Sequence, residues 1–196
     1  MRRAVLIVFD LMDTLLTDPF LRAHEAACGL TFAEFEAVRP DGVYHRLERG
    51  EITEADYWRS LIDSGLDWDV EEFHRVRREG YAWIEGMRDL VSDCTAVNTV
   101  VIGSNYADWI DEVVRDHLHG LDVGVFASCR LGVRKPSPRF FELVADATNT
   151  PLREVLLVDD KGVNTDAVAA LGGIGVRFTD ATDTRQALRK AGVAGV

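Results

Sequence analysis

The segment Ala4–Leu16, AVLIVFDLMDTLL, decides the fold. Its first six residues, Ala4 to Phe9, are continuously apolar and include the β-branched Val5, Ile7 and Val8. Such a run suits a strand of a parallel sheet, which meets apolar layers on both faces. The run stops at Asp10, with Asp13 and Thr14 in the turn beyond. In open α/β sheets, ligands occupy the crevice outside the carboxyl ends of the strands. Asp10 therefore stands where a reactive group belongs, although a lone aspartate there could simply solvate the strand end.

Further apolar, β-rich runs follow at 97–102, 124–129, 155–158 and 174–178, and they alternate with helical patterns. Trp109, Val113 and His117 fall on one helical face. Phe140, Phe141, Val144 and Ala145 form the next stripe, with Ser137 as N-cap and Pro138 at the first helical position. Val163, Ala167, Val168 and Leu171 form a third, closed by Gly172 and Gly173. The tail reads as one short helix from Asp183 to Ala191. Alternation of this kind predicts an α/β fold: right-handed βαβ units around a Rossmann-like parallel sheet.

The first two runs are separated by a long stretch without strand signal. It carries capping-type helix starts at Thr31–Glu34, Thr53–Asp56 and Asp69–Glu72. Tyr57 with Leu61, and Trp58 with Ile62, stand at i, i+4 on one helical face. The stretch is too long for a simple crossover. It predicts an inserted helical cap over 18–83, folded across the carboxyl edge of a core made of 1–17 and 84–196.

Bulk properties narrow the function class. With 47% apolar and 28% charged residues, the 196-residue chain has an ordinary globular composition. It has room for one core domain with a modest insertion. No apolar stretch reaches the ~20 residues that span a bilayer, and Arg2-Arg3 with its short apolar run makes no signal peptide. Cys28, Cys94 and Cys129 are scattered, odd in number and without metal-ligand spacing, as expected of reduced thiols in a cytoplasmic protein. A net charge of −11 argues against nucleic acid and anionic membrane as partners. A small anionic substrate remains compatible, because a local cation can outweigh the global field. Oligomeric state is not legible.

Polar residues gather at the ends of the apolar runs in a fixed order: Asp10, then Ser104-Asn105, then Lys135-Pro136, then Asp159-Asp160 with Asn164 beyond. In a parallel sheet these ends face one way, so the groups converge. Each has a dull explanation taken singly, as a helix cap or a solvated loop residue. Their joint occurrence at successive strand ends points to phosphoryl transfer through an aspartyl intermediate. Asp10 would be the nucleophile, and Asp10, Asp159 and Asp160 offer hard oxygens to Mg²⁺. Ser104 and Lys135 would bind and neutralise the transferring group.

The ordered set Asp-x-x-x-Thr, Ser-Asn, Lys-Pro, Asp-Asp resembles the haloacid dehalogenase (HAD) superfamily of hydrolases along essentially the whole chain, helical cap included. The resemblance implies a nucleophile at Asp10, phosphate binding by Ser104 and Lys135 with Asn105 completing the second motif, and Mg²⁺ held by Asp159 and Asp160. It implies a small phosphorylated metabolite as substrate. One position departs. Phosphatases of the family usually read Asp-x-Asp-Gly-Thr, the second Asp serving as general acid and base. Here that position is Met12, which can offer a metal only its backbone carbonyl, and Asp13 stands where Gly is usual. A positioned acid/base is typically worth ~10²–10⁴-fold, so weak phosphatase turnover is expected.

Three readings of Met12 remain open at this level. Asp13 could turn inward and supply the proton, or it could merely cap its turn. The site could be that of a dehalogenase, which needs no acid but also no metal. It could be a degraded site that binds or regulates. A receiver-type signalling domain uses similar groups, but the long insertion counts against it. On the cap, Arg22, His24, His45, Arg46, Arg49 and Trp58 are candidates for substrate contact, each competing with a solvated or packing role. His117 and His119 are expected near helix-terminal carbonyls.

Overall fold

The computed structural model describes residues 6–196, so Ala4 and Val5 of the first run lie outside the described residues. Five parallel strands form one sheet in the order β3-β2-β1-β4-β5: β1 (Leu6–Phe9), β2 (Thr99–Ser104), β3 (Gly124–Ala127), β4 (Val155–Asp159) and β5 (Ile174–Arg177). The strand that opens the chain is thus the central one. Its alternation sorts side chains cleanly: Ile7 and Phe9 enter one apolar layer, Leu6 and Val8 the other.

Helices cover both faces. α9 (Pro138–Ala147) and α10 (Gly162–Ala170) supply Phe140, Phe141, Val144 and Val168 to the layer of Leu6 and Val8. α6 (Met87–Thr95), α7 (Ile110–His117) and α11 (Ala181–Lys190) supply Leu90, Val91, Ile110, Val113 and Leu188 to the other. Gly103 lets β2 sit close: a Cβ there would lie 2.8 Å from Val8 Cγ1.

Boundaries differ from the apolar runs for local reasons. Val97 and Asn98 donate backbone N–H groups to Cys94 O and finish α6, so β2 begins later and carries Ser104 as its last residue. The third run breaks at Ala127, because Ser128 opens the short helix α8 (Ser128–Leu131), closed by left-handed Gly132. Ser137 occupies the N-cap position of α9 without a side-chain cap bond, and Val163 is exposed rather than part of its stripe. The tail helix starts earlier than Asp183, because Asp180 is the residue whose carboxylate accepts the Asp183 N–H.

Between β1 and α6 lie five helices: α1 (Phe20–Cys28), α2 (Phe32–Val38), α3 (Val43–Glu48), α4 (Glu54–Asp63) and α5 (Val70–Gly80). Thr31 and Thr53 form full capping boxes with Glu34 and Asp56, and Asp69 caps α5 through the Glu72 N–H. α1 and α3 escape the sequence reading because they begin at Pro19 and at left-handed Gly42, without side-chain caps. The insertion has an aromatic interior continuous with the core. Trp58 stacks on Trp109, at the start of α7, with centroids 5.6 Å apart and planes 7° from parallel. Such a pair adds about 0.5–1.5 kcal/mol beyond its buried area. Arg77 of α5 and Glu112 of α7 form a second link across the same boundary.

Cys28, Cys94 and Cys129 are free thiols. Among the described residues, no helix is long and apolar enough to cross a membrane.

Candidate active site

The sheet brings the predicted strand-end groups together. Phe9 and Val158 are in register, and the Asp10 N–H donates to Val158 O at 2.8 Å, so Asp10 and Asp159 emerge side by side. Lys135, on the loop after α8, places Nζ 2.8 Å from Asp10 Oδ1 and 2.6 Å from Asp159 Oδ2. All three side chains are almost wholly buried. Burial pushes the Asp10 carboxyl above its ordinary range; Lys135 pulls it back and Asp159 pushes it further up. Burial also works against the Lys135 charge, but the two carboxylates outweigh it and hold the ammonium above its usual value.

Neighbouring side chains fix this array. Asn105 accepts the Lys135 N–H through Oδ1 at 2.7 Å and returns Nδ2–H to Lys135 O at 2.9 Å. Its amide thus clamps the backbone that carries the ammonium. Thr14 Oγ1 accepts the Asp160 N–H at 3.2 Å, tying the first motif to the fourth. Ser104, buried at the end of β2, and Asn164 join Asp10 and Lys135 in the wall of one cavity.

The carboxylates differ in what they have left to offer. Asp10, Asp159 and Asp160 each present an oxygen within 4.8 Å of the others. Asp159 already accepts from Lys135 Nζ, the Lys161 N–H and both approaches of Asn164 Nδ2. Asp160 Oδ1 is buried with no hydrogen-bond partner. A buried, unsatisfied carboxylate oxygen beside two other carboxylates is what a hard divalent cation would complete, so the residues fit such an ion.

Met12 and Asp13 resolve differently from one another. Met12 is buried within the apolar layer and also borders the cavity. Asp13 is exposed, with φ 56°, and lies outside the cavity wall. Its Oδ1 accepts the Asp18 N–H at 3.1 Å. That is the turn-capping alternative, and Asp13 is not brought to the site. The carboxyl that does line the cavity from this loop is Asp18, pushed up to about 6 by burial and oriented by the Phe20 N–H at 2.9 Å. Sequence reading missed it, because nothing in a Thr-Asp-Pro turn distinguishes a cavity residue from a cap.

The cavity, about 400 Å³, has the strand ends on one side and the insertion on the other. Of the candidates on the insertion, only His45 borders it. His24 is wholly buried among aromatic rings, where burial lowers its pKa to about 4 and keeps it neutral. Its Nε2 meets the Tyr57 hydroxyl at 3.0 Å. Trp58 belongs to the aromatic interior, Arg46 and Arg49 face Glu51, and Arg22 is exposed outside the wall. The insertion side of the wall is instead built by Phe20, Phe32, Glu36, Arg39, Tyr44 and Glu48. Glu48 reaches across to Arg134 of the Lys135 loop, 2.7 Å from Nε to Oε2, and its carbonyl accepts the Ser128 hydroxyl at 2.5 Å. At the end of α7 the backbone oxygens of His117 and His119 are themselves the acceptors, from Trp83 and Arg88, while the His117 ring packs edge-on against Tyr81.

Comparison with known proteins agrees with this arrangement. No family model matches the chain. It is 27% identical over 195 residues to flavin mononucleotide hydrolase 1 of Arabidopsis thaliana chloroplasts, covering 98% of this chain and 79% of that protein. It is 40% identical to the sesquiterpene phosphatase AstK of Aspergillus oryzae over 67 residues, 34% of each chain. Its fold is that of a HAD-family enzyme from Bacteroides thetaiotaomicron solved with magnesium and inorganic phosphate, with TM-score 0.76, 18% identity, and 91% and 96% of the two chains covered. L-2-haloacid dehalogenase of Xanthobacter autotrophicus shares it at TM-score 0.65 and 18% identity, over 98% and 85% of the chains. Sheet order, strand-end residues and a relative matched along nearly the whole chain lead to one conclusion: the chain has the fold of HAD-family enzymes and is similar to a hydrolase along nearly its whole length.

Proposed function

We propose that the chain is a Mg²⁺-dependent phosphatase acting on a small phosphate ester, with the sheet and its covering helices (1–17 and 84–196) as catalytic core and the insertion (18–83) as cap. The observation that carries this reading is the buried Asp10–Lys135–Asp159 array, whose Asp10 and Lys135 share one cavity wall with Ser104. Asp10 attacks phosphorus, the bond from phosphorus to the ester oxygen breaks, and the alcohol leaves with a proton. Water then attacks the aspartyl phosphate, releasing inorganic phosphate and restoring the carboxylate. Lys135 shares charge with the nucleophile and the transferring group, Ser104 hydrogen-bonds that group, and Asn105 holds Lys135 in place.

The metal would be held by Asp10, Asp160 and the Met12 carbonyl, with Asp159 as the carboxylate that also orients Lys135. When bound, Mg²⁺ supplies positive charge that lets a carboxylate approach a phosphate. The magnesium and phosphate of the Bacteroides enzyme support this assignment. The unsatisfied Asp160 oxygen favours it over metal-free dehalogenation, which would leave that oxygen buried and unpaired. With Met12 unable to move protons and Asp13 turned away, Asp18 on the nucleophile's loop and Glu48 on the insertion are cavity carboxyls raised towards neutral pH, and Asp18 is the one on the loop that follows Asp10. Substitution of Asp10 by Asn tests the reading: phosphate release should vanish, whereas retained turnover would remove Asp10 from the mechanism.

A further inference from the structure

The Lys135 ammonium goes where its backbone puts it, and Asn105 clamps that backbone by both the N–H and the carbonyl of Lys135. The residues next to the two partners of this clamp, Arg134 before Lys135 and Tyr106 after Asn105, lead to a single residue of the insertion. Arg134 Nε lies 2.7 Å from Glu48 Oε2. The Tyr106 N–H donates to Ser128 Oγ at 3.0 Å, and that hydroxyl donates to the Glu48 carbonyl at 2.5 Å. Glu48 and Ser128 are both buried. The end of α3 is pressed home beside them: Gly50, with φ 65°, approaches the Cys129 carbonyl so closely that a Cβ there would overlap it.

We infer that Glu48 is a positioning residue for Lys135: seated on the core, it fixes the residues beside both partners of the Asn105–Lys135 clamp and so holds the ammonium against Asp10. The inference rests on the phosphatase reading for what Lys135 does, but the seating of Lys135 can be measured without turnover. Packing alone does not explain a carboxyl at this joint. Burial raises it to about 7 while Arg134 and Lys161 pull it back, and a buried carboxyl costs stability that an apolar residue would not. Nor is any link between insertion and core equivalent. The ion pair of Arg77 with Glu112 joins α5 to α7 and involves neither partner of the clamp. Small displacements matter here, because a shift of about 1 Å in a reacting group can cost about 10²-fold in rate.

Lysine labelling tests this directly. Lys135 is buried, whereas Lys161 and Lys190, the chain's other lysines, are exposed. Brief acylation of the folded protein with an amine-reactive ester at about pH 8, followed by peptide mass mapping, reads Lys135 against Lys190 as internal standard. Wild type should leave Lys135 protected. Ser128→Ala and Glu48→Ala should each raise the Lys135-to-Lys190 ratio by about tenfold, with urea unfolding confirming a folded chain. Glu48→Gln, which keeps both acceptor oxygens, should restore most of the protection, and Glu112→Gln should leave the ratio unchanged. Ser128→Ala decides if Glu48→Ala does not fold. With 4-nitrophenyl phosphate, kcat in the Ala variants should fall by about 10–10²-fold with a smaller change in KM. A protected Lys135 in Ser128→Ala, or an equal rise in Glu112→Gln, would overturn the inference and leave phosphatase action standing. Absence of turnover in wild type would remove the phosphatase reading alone, because the labelling ratio still decides whether Glu48 seats Lys135.

Discussion

The two walls of the cavity are built on different principles. On the sheet side the reactive groups are interlocked: Lys135 with two carboxylates and with Asn105, the Asp160 backbone with Thr14, Asp159 with Asn164. Strand register puts these groups level, and burial sharpens their mutual electrostatics. On the insertion side the groups come from short helices and their ends, and the rings of Phe20, Phe32 and Tyr44 stay partly exposed. A rigid, interlocked wall that keeps one carboxylate oxygen free for a cation suits one chemical step done on one group, the phosphate. A wall with capacity to spare suits recognition of whatever is attached to it.

The contrast can be broken by substitution. The largest effect is expected at Lys135. Lys135→Met leaves two buried carboxylates facing each other, so phosphate release should fall by more than about 10³-fold, and removing one partner of a buried charge pair should cost about 3–5 kcal/mol in urea unfolding. A stable, active Lys135→Met enzyme would show that the array is not the reactive centre. Next comes Met12→Asp, which restores a proton-transfer group at the cost of an apolar core contact. Turnover should rise by about 10²-fold while stability drops by about 1–3 kcal/mol. No gain in rate would mean that another group already moves the proton. In that event Asp18 is the candidate, and Asp18→Asn would lower kcat by about 10²-fold and remove an ionisation near pH 6 from the profile.

The smallest effect sharpens the comparison through pH. Asp18 and Glu48 have carboxyls raised by burial, from 3.8 to about 6 and from 4.5 to about 7 respectively. The folded chain therefore holds protons that the unfolded chain has released. The stability they contribute is complete below about pH 4 and is lost as pH rises through about 6 to 7. Unfolding midpoints should decline over that window, and Glu48→Gln should flatten the upper part of the slope. An unchanged slope in Glu48→Gln would place that carboxyl outside the titration.

The sheet wall was largely legible in the sequence because its rules are local and repetitive. A buried parallel strand is an apolar run, its end is a polar break, and parallel strands end on the same side, so Asp10, Ser104, Lys135 and Asp159 could be collected without knowing any contact. Asp13 was not decidable, since its φ of 56° and its bond to Asp18 depend on how the turn closes. Nor was the work of Asn105, which has the composition of a ligand-binding residue but spends its amide on Lys135. The insertion wall stayed illegible because facing the cavity depends on how short helices pack. Arg39 and Arg46 look alike in sequence, yet one lines the cavity and the other pairs with Glu51 on the surface. Helices without side-chain caps, α1 and α3, left no start signal, and they carry or flank much of that wall.

The central claim is that Asp10 forms the covalent phosphoryl link. Rapid acid quenching of wild type turning over a small aryl phosphate with Mg²⁺, followed by peptide mass mapping, tests it most directly. The account predicts one added phosphoryl group on the peptide carrying Asp10, absent from Asp10→Asn. Phosphate release at full rate from Asp10→Asn, or a phosphoryl group mapped to another residue, would contradict it.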